Sequence, residues 1–414
     1  MIRTVAATFL LTMGAAAAQP LSDPALEAEA QRINAKVIAL DTHVDIPLNF
    51  ATEAEDPGGF TDMQVDLPKM RVGGLDAAFF IVYTAQGPLT PEGYAKAKAD
   101  AVTKATAIHR FAAAYPSEVG LALSSDDARA IARSGRKIAF IGMENAYPLG
   151  ESVADLEGWQ KAGVRYCGIT HFGHNQFGDS ANPNPALGET EVKYGGLSDL
   201  GRQLIAELNR VGVMVDVSHA GRETMMQAVA LSKAPIIASH SAVRALDDNP
   251  RNLDDEQLRA IAKNGGVAQI VALGSYIKPL NDEQIVLRDK IRKEMGLDDP
   301  AAYASMTDAM EKDYDKRLEA LYEIAPAPNV SDFVDHIDYA VKVAGVDHVG
   351  ISSDFNGGGG VEGWKDASET INVTRELVRR GYSEADIEKI WSGNLLRVLD
   401  EVQKTAQKLQ KQKK

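Results

Sequence analysis

A single cysteine, Cys167, stands in 414 residues, so no disulfide can form within the chain. The fold must be held by its core, which a chain of this length can bury. Cys167 lies in the apolar run Tyr166-Cys-Gly-Ile-Thr170 and is expected to pack there, not to react. Positive charge is short: 44 Lys and Arg face 58 Asp and Glu, for a formal net charge of −14. That balance argues against nucleic acid and anionic membranes as partners. No glycine-rich dinucleotide turn, internal repeat or low-complexity linker is visible. Long hydrophobic runs are also missing, apart from one at the start. There Arg3 precedes an apolar stretch from Val5 to about Ala15, and Ala16-Ala-Ala-Gln19 fits a small-residue cleavage site. Residues 1–18 therefore read as a secretory signal peptide, cut near Ala18 to leave a periplasmic or secreted product. An uncleaved anchor is the alternative, although the run is short for a bilayer span. At the other end, the basic residues 404–414 read as a solvated tail with no lipid-anchor signal behind it.

What the chain does have is alternation. Eight apolar, β-branched runs stand out: Val37–His43, Leu75–Tyr83, Ile138–Glu144, Tyr166–His171, Val213–His219, Pro235–His240, Val267–Leu273 and His348–Asp354. Amphipathic helical stretches lie between them, among them Tyr94–Tyr115, Leu197–Arg210, Arg222–Leu231 and Asp255–Lys263. Helix-ending glycines at 163, 212 and 265 precede three of the runs. Strands alternating with helices predict a parallel sheet with right-handed crossovers, and the closed form is a (β/α)8 TIM barrel. An open doubly wound sheet is the runner-up. One domain over 19–403 is expected, with a polar loop after the fourth strand (Gly173–Gly196). A charged helical insertion (275–330) follows the seventh. Both are placed over the mouth of the barrel.

The ends of the runs carry the chemistry. The first delivers His43 and Asp45, which point the same way from a strand. The third ends in Glu144, the fourth in His171, the fifth in His219, the sixth in His240 and the eighth in Asp354. One such histidine would be unremarkable in a core. Four histidines and three carboxylates at parallel strand ends converge on one mouth, and buried acids need partners or a metal. A nitrogen and oxygen ligand set without thiolate suits Zn, and also Mn, Co or Fe. The set is too large for one tetrahedral zinc with an open position and suits two metals sharing a carboxylate. His109, His336 and His348 fall outside the pattern and read as structural or solvated. His174 stays open.

The segments Asp41-Thr-His-Val-Asp45, Asp66-Leu-Pro-Lys-Met-Arg-Val-Gly-Gly74 and Asn209-Arg-Val-Gly-Val-Met-Val-Asp-Val-Ser-His219 carry a resemblance, together with Ser239-His-Ser241, Ser353-Asp-Phe-Asn-Gly357 and Trp391-Ser-Gly-Asn-Leu-Leu-Arg-Val398. The chain resembles the membrane (renal) dipeptidases, zinc peptidases of the amidohydrolase-type metal-dependent barrels, over roughly Val37 to Leu399. The resemblance implies that His43 and Asp45 bind one Zn2+, that His219 and His240 bind the other, and that Glu144 bridges them. It implies that His171 contacts the substrate and its developing oxyanion, that Arg251 in Asn249-Pro-Arg-Asn252 holds the substrate carboxylate, and that Asp354 handles the proton. A homodimer is common in the family.

The expected activity is metal-dependent hydrolysis of dipeptides with a free carboxylate, by a hydroxide bridging two zinc ions. Hydrolysis of another amide or of a β-lactam is the alternative, and a non-catalytic metal- or peptide-binding barrel is a different class. The sequence departs from the usual family pattern in places: Asn145 stands where glycine is common, Asn356 where aspartate is common, and Thr42 and Val44 replace residues of the Gly-His-Asn-Asp version. Four glycines, 357–360, suggest a mobile loop beside Asp354.

Overall fold

The computed structural model describes residues 23–304 and 306–412. The signal peptide expected at 1–18 lies outside them. Nine strands are present: β1 (Leu40–Asp45), β2 (Ala77–Tyr83), β3 (Val119–Leu121), β4 (Lys137–Glu144), β5 (Val164–Gly168), β6 (Met214–Asp216), β7 (Ile237–Ser241), β8 (Val267–Val271) and β9 (Val349–Ser352). Eight of them run in the order β1-β2-β4-β5-β6-β7-β8-β9, each parallel to its neighbours. The ring closes where the Asp45 amide donates to the Phe355 carbonyl at 2.9 Å, beside a parallel bridge between Val44 and Phe355. This is the expected (β/α)8 barrel, and each of the eight apolar runs overlaps one of its strands.

Strand β3 is the element the apolar pattern does not reveal. It has three residues and lies on the first half of one edge of β4, at Lys137–Ala139, before β5 takes that edge over from Ile141. Three residues are too few to show a period.

Alternation along the strands divides the core in two. Phe79, Ile81, Phe140 and Tyr166 belong to an inner cluster, whereas Phe80, Val82 and Ile141 pack outward under the helices. Each fully buried side chain of this size contributes about 1.5–3 kcal/mol. Gly212 (φ 80°) and Gly265 (φ 83°) cap the helices Asp199–Val211 and Asp255–Asn264 in the left-handed region, as their positions before β6 and β8 suggest.

The last helix, Asn394–Gln412, corrects one expectation. Residues 404–412 are not a frayed tail. Apolar positions recur along one face, Leu395, Leu399, Val402 and Ala406 are buried, and Gln410 donates to the Arg210 carbonyl at 2.8 Å. Its lysines occupy the other face of a packed helix.

Both extra segments follow barrel strands at the mouth end. Among the residues after β8, the helix Asp282–Glu294 and its neighbours form a small core of their own around Ile291, Leu297 and Tyr314. The short helix Pro300–Ala304 packs on the turn Pro185–Leu187, so the insertion and the loop after β5 meet. Among the described residues, no helix is long and apolar enough to cross a membrane.

Candidate active site

The strand ends gather every candidate residue named above. His43 and Asp45 leave β1 on one side: His43 Nε2 is 3.5 Å from Asp45 Oδ2 and 3.4 Å from Glu144 Oε2, at the end of β4. The other oxygen of Glu144, Oε1, lies 3.0 Å from His219 Nε2 and 3.3 Å from His240 Nε2, and those two nitrogens are 2.9 Å apart. His171 Nε2 is 3.9 Å from Glu144 Oε1, and Asp354 Oδ1 is 3.8 Å from His43 Nε2. Arg251 comes from the loop after β7, with its guanidinium against the end of that strand. It donates from Nη2 to the His240 carbonyl (3.1 Å) and from Nη1 to Ser241 Oγ (3.4 Å).

These separations can be tested against a metal. A tetrahedral ion with arms of about 2.0–2.1 Å has donor–donor edges of about 3.3–3.4 Å. The two edges from His43 Nε2, to Asp45 Oδ2 and to Glu144 Oε2, match that length, and so, slightly compressed, do the three edges among Glu144 Oε1, His219 and His240. Buried His43 Nε2, Asp45 Oδ1, Glu144 Oε1 and His219 Nδ1 have no hydrogen-bond partner among the described residues. Polar atoms buried without partners are costly unless a cation or ligand satisfies them. The donor set, the spacing and the unsatisfied atoms fit two divalent cations on either side of Glu144.

Burial and charge act together here. Burial alone would neutralise Glu144, but His43, His171, His219 and His240 hold its pKa well below the usual carboxylate range. Burial also works against protonated His43, yet Glu144 and Asp45 override it and raise its pKa. His219 and His240 go the other way, driven well below the ordinary imidazole value by burial. A neutral imidazole is the form that ligates metal. Burial pushes Asp354 up to about 8, and the Asp45 and Glu144 carboxylates add to the rise against the opposing effect of His43. Burial likewise pushes the Cys167 thiol up, in keeping with a packing role.

The backbone at these strand exits is unusual. Five non-glycine residues have positive φ, and three of them are His219 (64°), Asp354 (61°) and Asn145 (69°), which directly follows Glu144. Left-handed backbone explains why glycine serves well at position 145, and asparagine is the side chain that tolerates it best. Asn145 also uses its amide. Nδ2 donates to the Thr84 carbonyl and to Gln86 Oε1, each at 3.2 Å, and Oδ1 accepts from the Tyr147 amide and from Asn175. Asn356 (φ 62°) ties Gln64 to the Asp45 carbonyl in the same manner. The glycine run 357–360 is not a loose loop. Gly357 and Gly359 donate to the Asp354 carbonyl and Gly360 to that of Ala272. A Cβ at 357 would sit 2.5 Å from Asp45 Oδ2 and 2.8 Å from Asp354 Oδ1, so the glycine lets the backbone lie against both carboxylates.

The remaining histidines are explained. Buried His174 accepts from the Ser180 amide at Nδ1 and donates from Nε2 to the Thr190 carbonyl, which stitches the loop after β5. His336 joins the Val243 amide to the Ile277 carbonyl. His109 and His348 donate to the carbonyls of Ala162 and Gly266.

Sequence reasoning missed the groups behind the front row. Tyr166 Oη lies 2.9 Å from His43 Nδ1 and donates to the Thr42 carbonyl at 3.1 Å. Ser239 Oγ lies 2.8 Å from His240 Nδ1 and donates to Asp216 Oδ2 at 2.7 Å. Tyr276 lies under Arg251, its ring centre 5.4 Å from the guanidinium carbon. Asp216, a carboxylate inside an apolar run, was the one readable signal.

Comparison with known proteins agrees with the geometry. Residues 27–413 match the model of the membrane dipeptidase family, peptidase family M19. The dipeptidase aclJ of Aspergillus oryzae is 30% identical over 351 residues, covering 84% of this chain and 72% of that one. The crystal structure of the probable dipeptidase PvdM of Pseudomonas aeruginosa superposes with a TM-score of 0.85 at 37% identity, over 93% of this chain and 100% of that one. A metallopeptidase of Rhodobacter sphaeroides, solved with a phosphinate mimic of the dipeptide L-Ala-D-Ala, shares the fold with a TM-score of 0.67 at 22% identity, over 88% of this chain and 99% of that one. The chain belongs to the membrane dipeptidase family and is a metallo-dipeptidase.

Proposed function

We propose that the chain hydrolyses dipeptides at a centre of two zinc ions, with His43, Asp45 and Glu144 holding one and Glu144, His219 and His240 the other. The observation that carries this reading is the division of Glu144: Oε2 faces His43, whose Nε2 also meets Asp45, whereas Oε1 faces His219 and His240. Bound there, the ions supply a nucleophilic water at neutral pH and polarise the scissile carbonyl.

The chain's own residues account for the rest. Asp354, whose burial favours its protonated form, accepts a proton from the attacking water and returns it to the departing amine. His171, which lies near Glu144 Oε1 while Asp354 lies near His43, donates to the oxyanion as it forms. Arg251 is buried, pairs with no carboxylate among the described residues and leaves Nε without a partner. A buried guanidinium in that state is suited to an anion, and the substrate carboxylate supplies one. Its fixed place beside His240 limits the distance from carboxylate to scissile bond, which favours dipeptides over longer peptides.

Elemental analysis paired with a dipeptide-library assay on the same sample tests the proposal. About two metals per chain, with cleavage abolished by chelator and restored by zinc, is the expected result. Two metals with cleavage only of other amides or lactams would move the substrate class. One metal or none would remove the Glu144 bridge. The N-terminal pattern supports export to the periplasm or medium, and a mature N-terminus at Met1 would overturn that.

A further inference from the structure

The two halves of the site differ in what stands behind their histidines. Tyr166 is fully buried inside the barrel, on β5. Its hydroxyl lies 3.1 Å from the Thr42 carbonyl and 2.9 Å from His43 Nδ1, and when it donates to the carbonyl it accepts from His43. The proton of His43 must then sit on Nδ1, which leaves the Nε2 lone pair facing Asp45 and Glu144. Space for the phenol comes from Gly142 on β4, two residues before Glu144 on the same side of the strand. A Cβ there would lie 2.3 Å from Tyr166 Cζ and 2.7 Å from its oxygen. The ring is further fixed by stacking on Phe79, with centroids 5.2 Å apart. On the other side, His240 leans on Ser239 and Asp216, with Ser239 also reaching the Tyr166 hydroxyl, while His219 Nδ1 has no partner.

We propose that Tyr166, seated in the gap left by Gly142, is the positioning residue that fixes the tautomer and ring orientation of His43, and so tunes the His43–Asp45–Glu144 half of the centre separately from the His219–His240 half. The inference rests on the binuclear reading above. The outer partners of ligating histidines typically contribute 10–100-fold in metal affinity.

The test is Tyr166→Phe, which removes one oxygen and keeps the ring. Zinc is titrated into the metal-free protein against a competing chelator, with Ser239→Ala titrated in parallel. The wild type is expected to take up two ions, and a single step there would count against the binuclear reading itself. Given two steps, Tyr166→Phe should weaken one by about 10–100-fold and leave the other within a few-fold. Ser239→Ala should weaken the opposite step. Nitrogen NMR of the metal-free protein should show the His43 Nδ1–H signal lost or exchanging in Tyr166→Phe. Unchanged zinc binding, or equal loss at both steps, would overturn the proposal. So would a fall in the melting temperature of the metal-free protein with both zinc steps intact, because that would make Tyr166 a packing residue only.

Discussion

The chain has eight histidines, and the structure divides them evenly. Away from Glu144, each of the other four has a backbone partner. His336 and His174 satisfy both ring nitrogens with main-chain groups although both are buried, and His109 and His348 each reach a carbonyl. At the mouth, His43, His171, His219 and His240 crowd around one carboxylate, and His43 and His219 each keep a nitrogen with no hydrogen-bond partner. The first arrangement stabilises a fold. The second leaves buried ring nitrogens and a Glu144 oxygen unsatisfied until something binds. The same side chain in the same molecule serves opposite ends, and the main chain around it decides which.

The sharpest way to break that contrast is at Glu144. Glu144→Gln keeps shape and one acceptor oxygen but removes the charge that both halves share. It should empty both metal sites and reduce turnover to background, and the metal-free protein should unfold somewhat below the wild-type temperature, because the attraction between the Glu144 charge and its histidines is lost. Metal analysis and thermal melting of the same preparation read both. Retention of two metals would show that the carboxylate charge is dispensable. Asp354→Asn should have the next largest effect. Two metals stay bound and kcat falls by about 10²–10⁴-fold, the usual contribution of a positioned acid–base group. Near-normal kcat would remove Asp354 from proton transfer.

How much of this could be read beforehand differs between fold and site. The barrel was legible because its strands are buried on both faces and stand out as apolar runs between amphipathic helices. The candidate site residues were legible because histidine and carboxylate at the ends of such runs have few other reasons to be there. Tyr166 was not, since its hydroxyl acts across the barrel on a residue 123 positions earlier and the sequence shows only another apolar residue in an apolar run. Gly142 was equally silent, and Gly357 was read only as part of a mobile loop. Each matters for the Cβ it lacks, and what that atom would strike is known only in three dimensions. Asn145 read as a departure at a glycine position, and the left-handed backbone shows it to be a substitute that works. The basic end of the chain misled because charge was weighed above the apolar stripe on its other face.

Arg251 tests the contrast at its margin, since it is buried like a core residue yet lacks an acidic partner. Arg251→Ala should raise KM for dipeptides with a free carboxylate by about 10–100-fold, the range for a lost charged hydrogen bond, with a smaller change in kcat. Substrates with an amidated C-terminus should show little difference between the two proteins. An equal rise in KM for both substrate types would contradict the anchor role.

The smallest effect on catalysis is expected from a histidine as buried as the candidate ligands. His336 is 1% exposed, and His336→Ala strips partners from the Val243 amide and the Ile277 carbonyl while opening a cavity. The cost should be about 2–5 kcal/mol of stability, read from denaturant unfolding of the metal-free protein. Metal content and kcat per bound metal should stay at wild-type values. Because Val243 begins the loop that carries Arg251, any catalytic change belongs in KM and should be smaller than that of Arg251→Ala. His219→Ala should do the reverse, losing metal without losing stability. If His336→Ala lost metal, or His219→Ala lost several kcal/mol of stability in the metal-free state, satisfied and unsatisfied histidines would not be separate classes in this barrel.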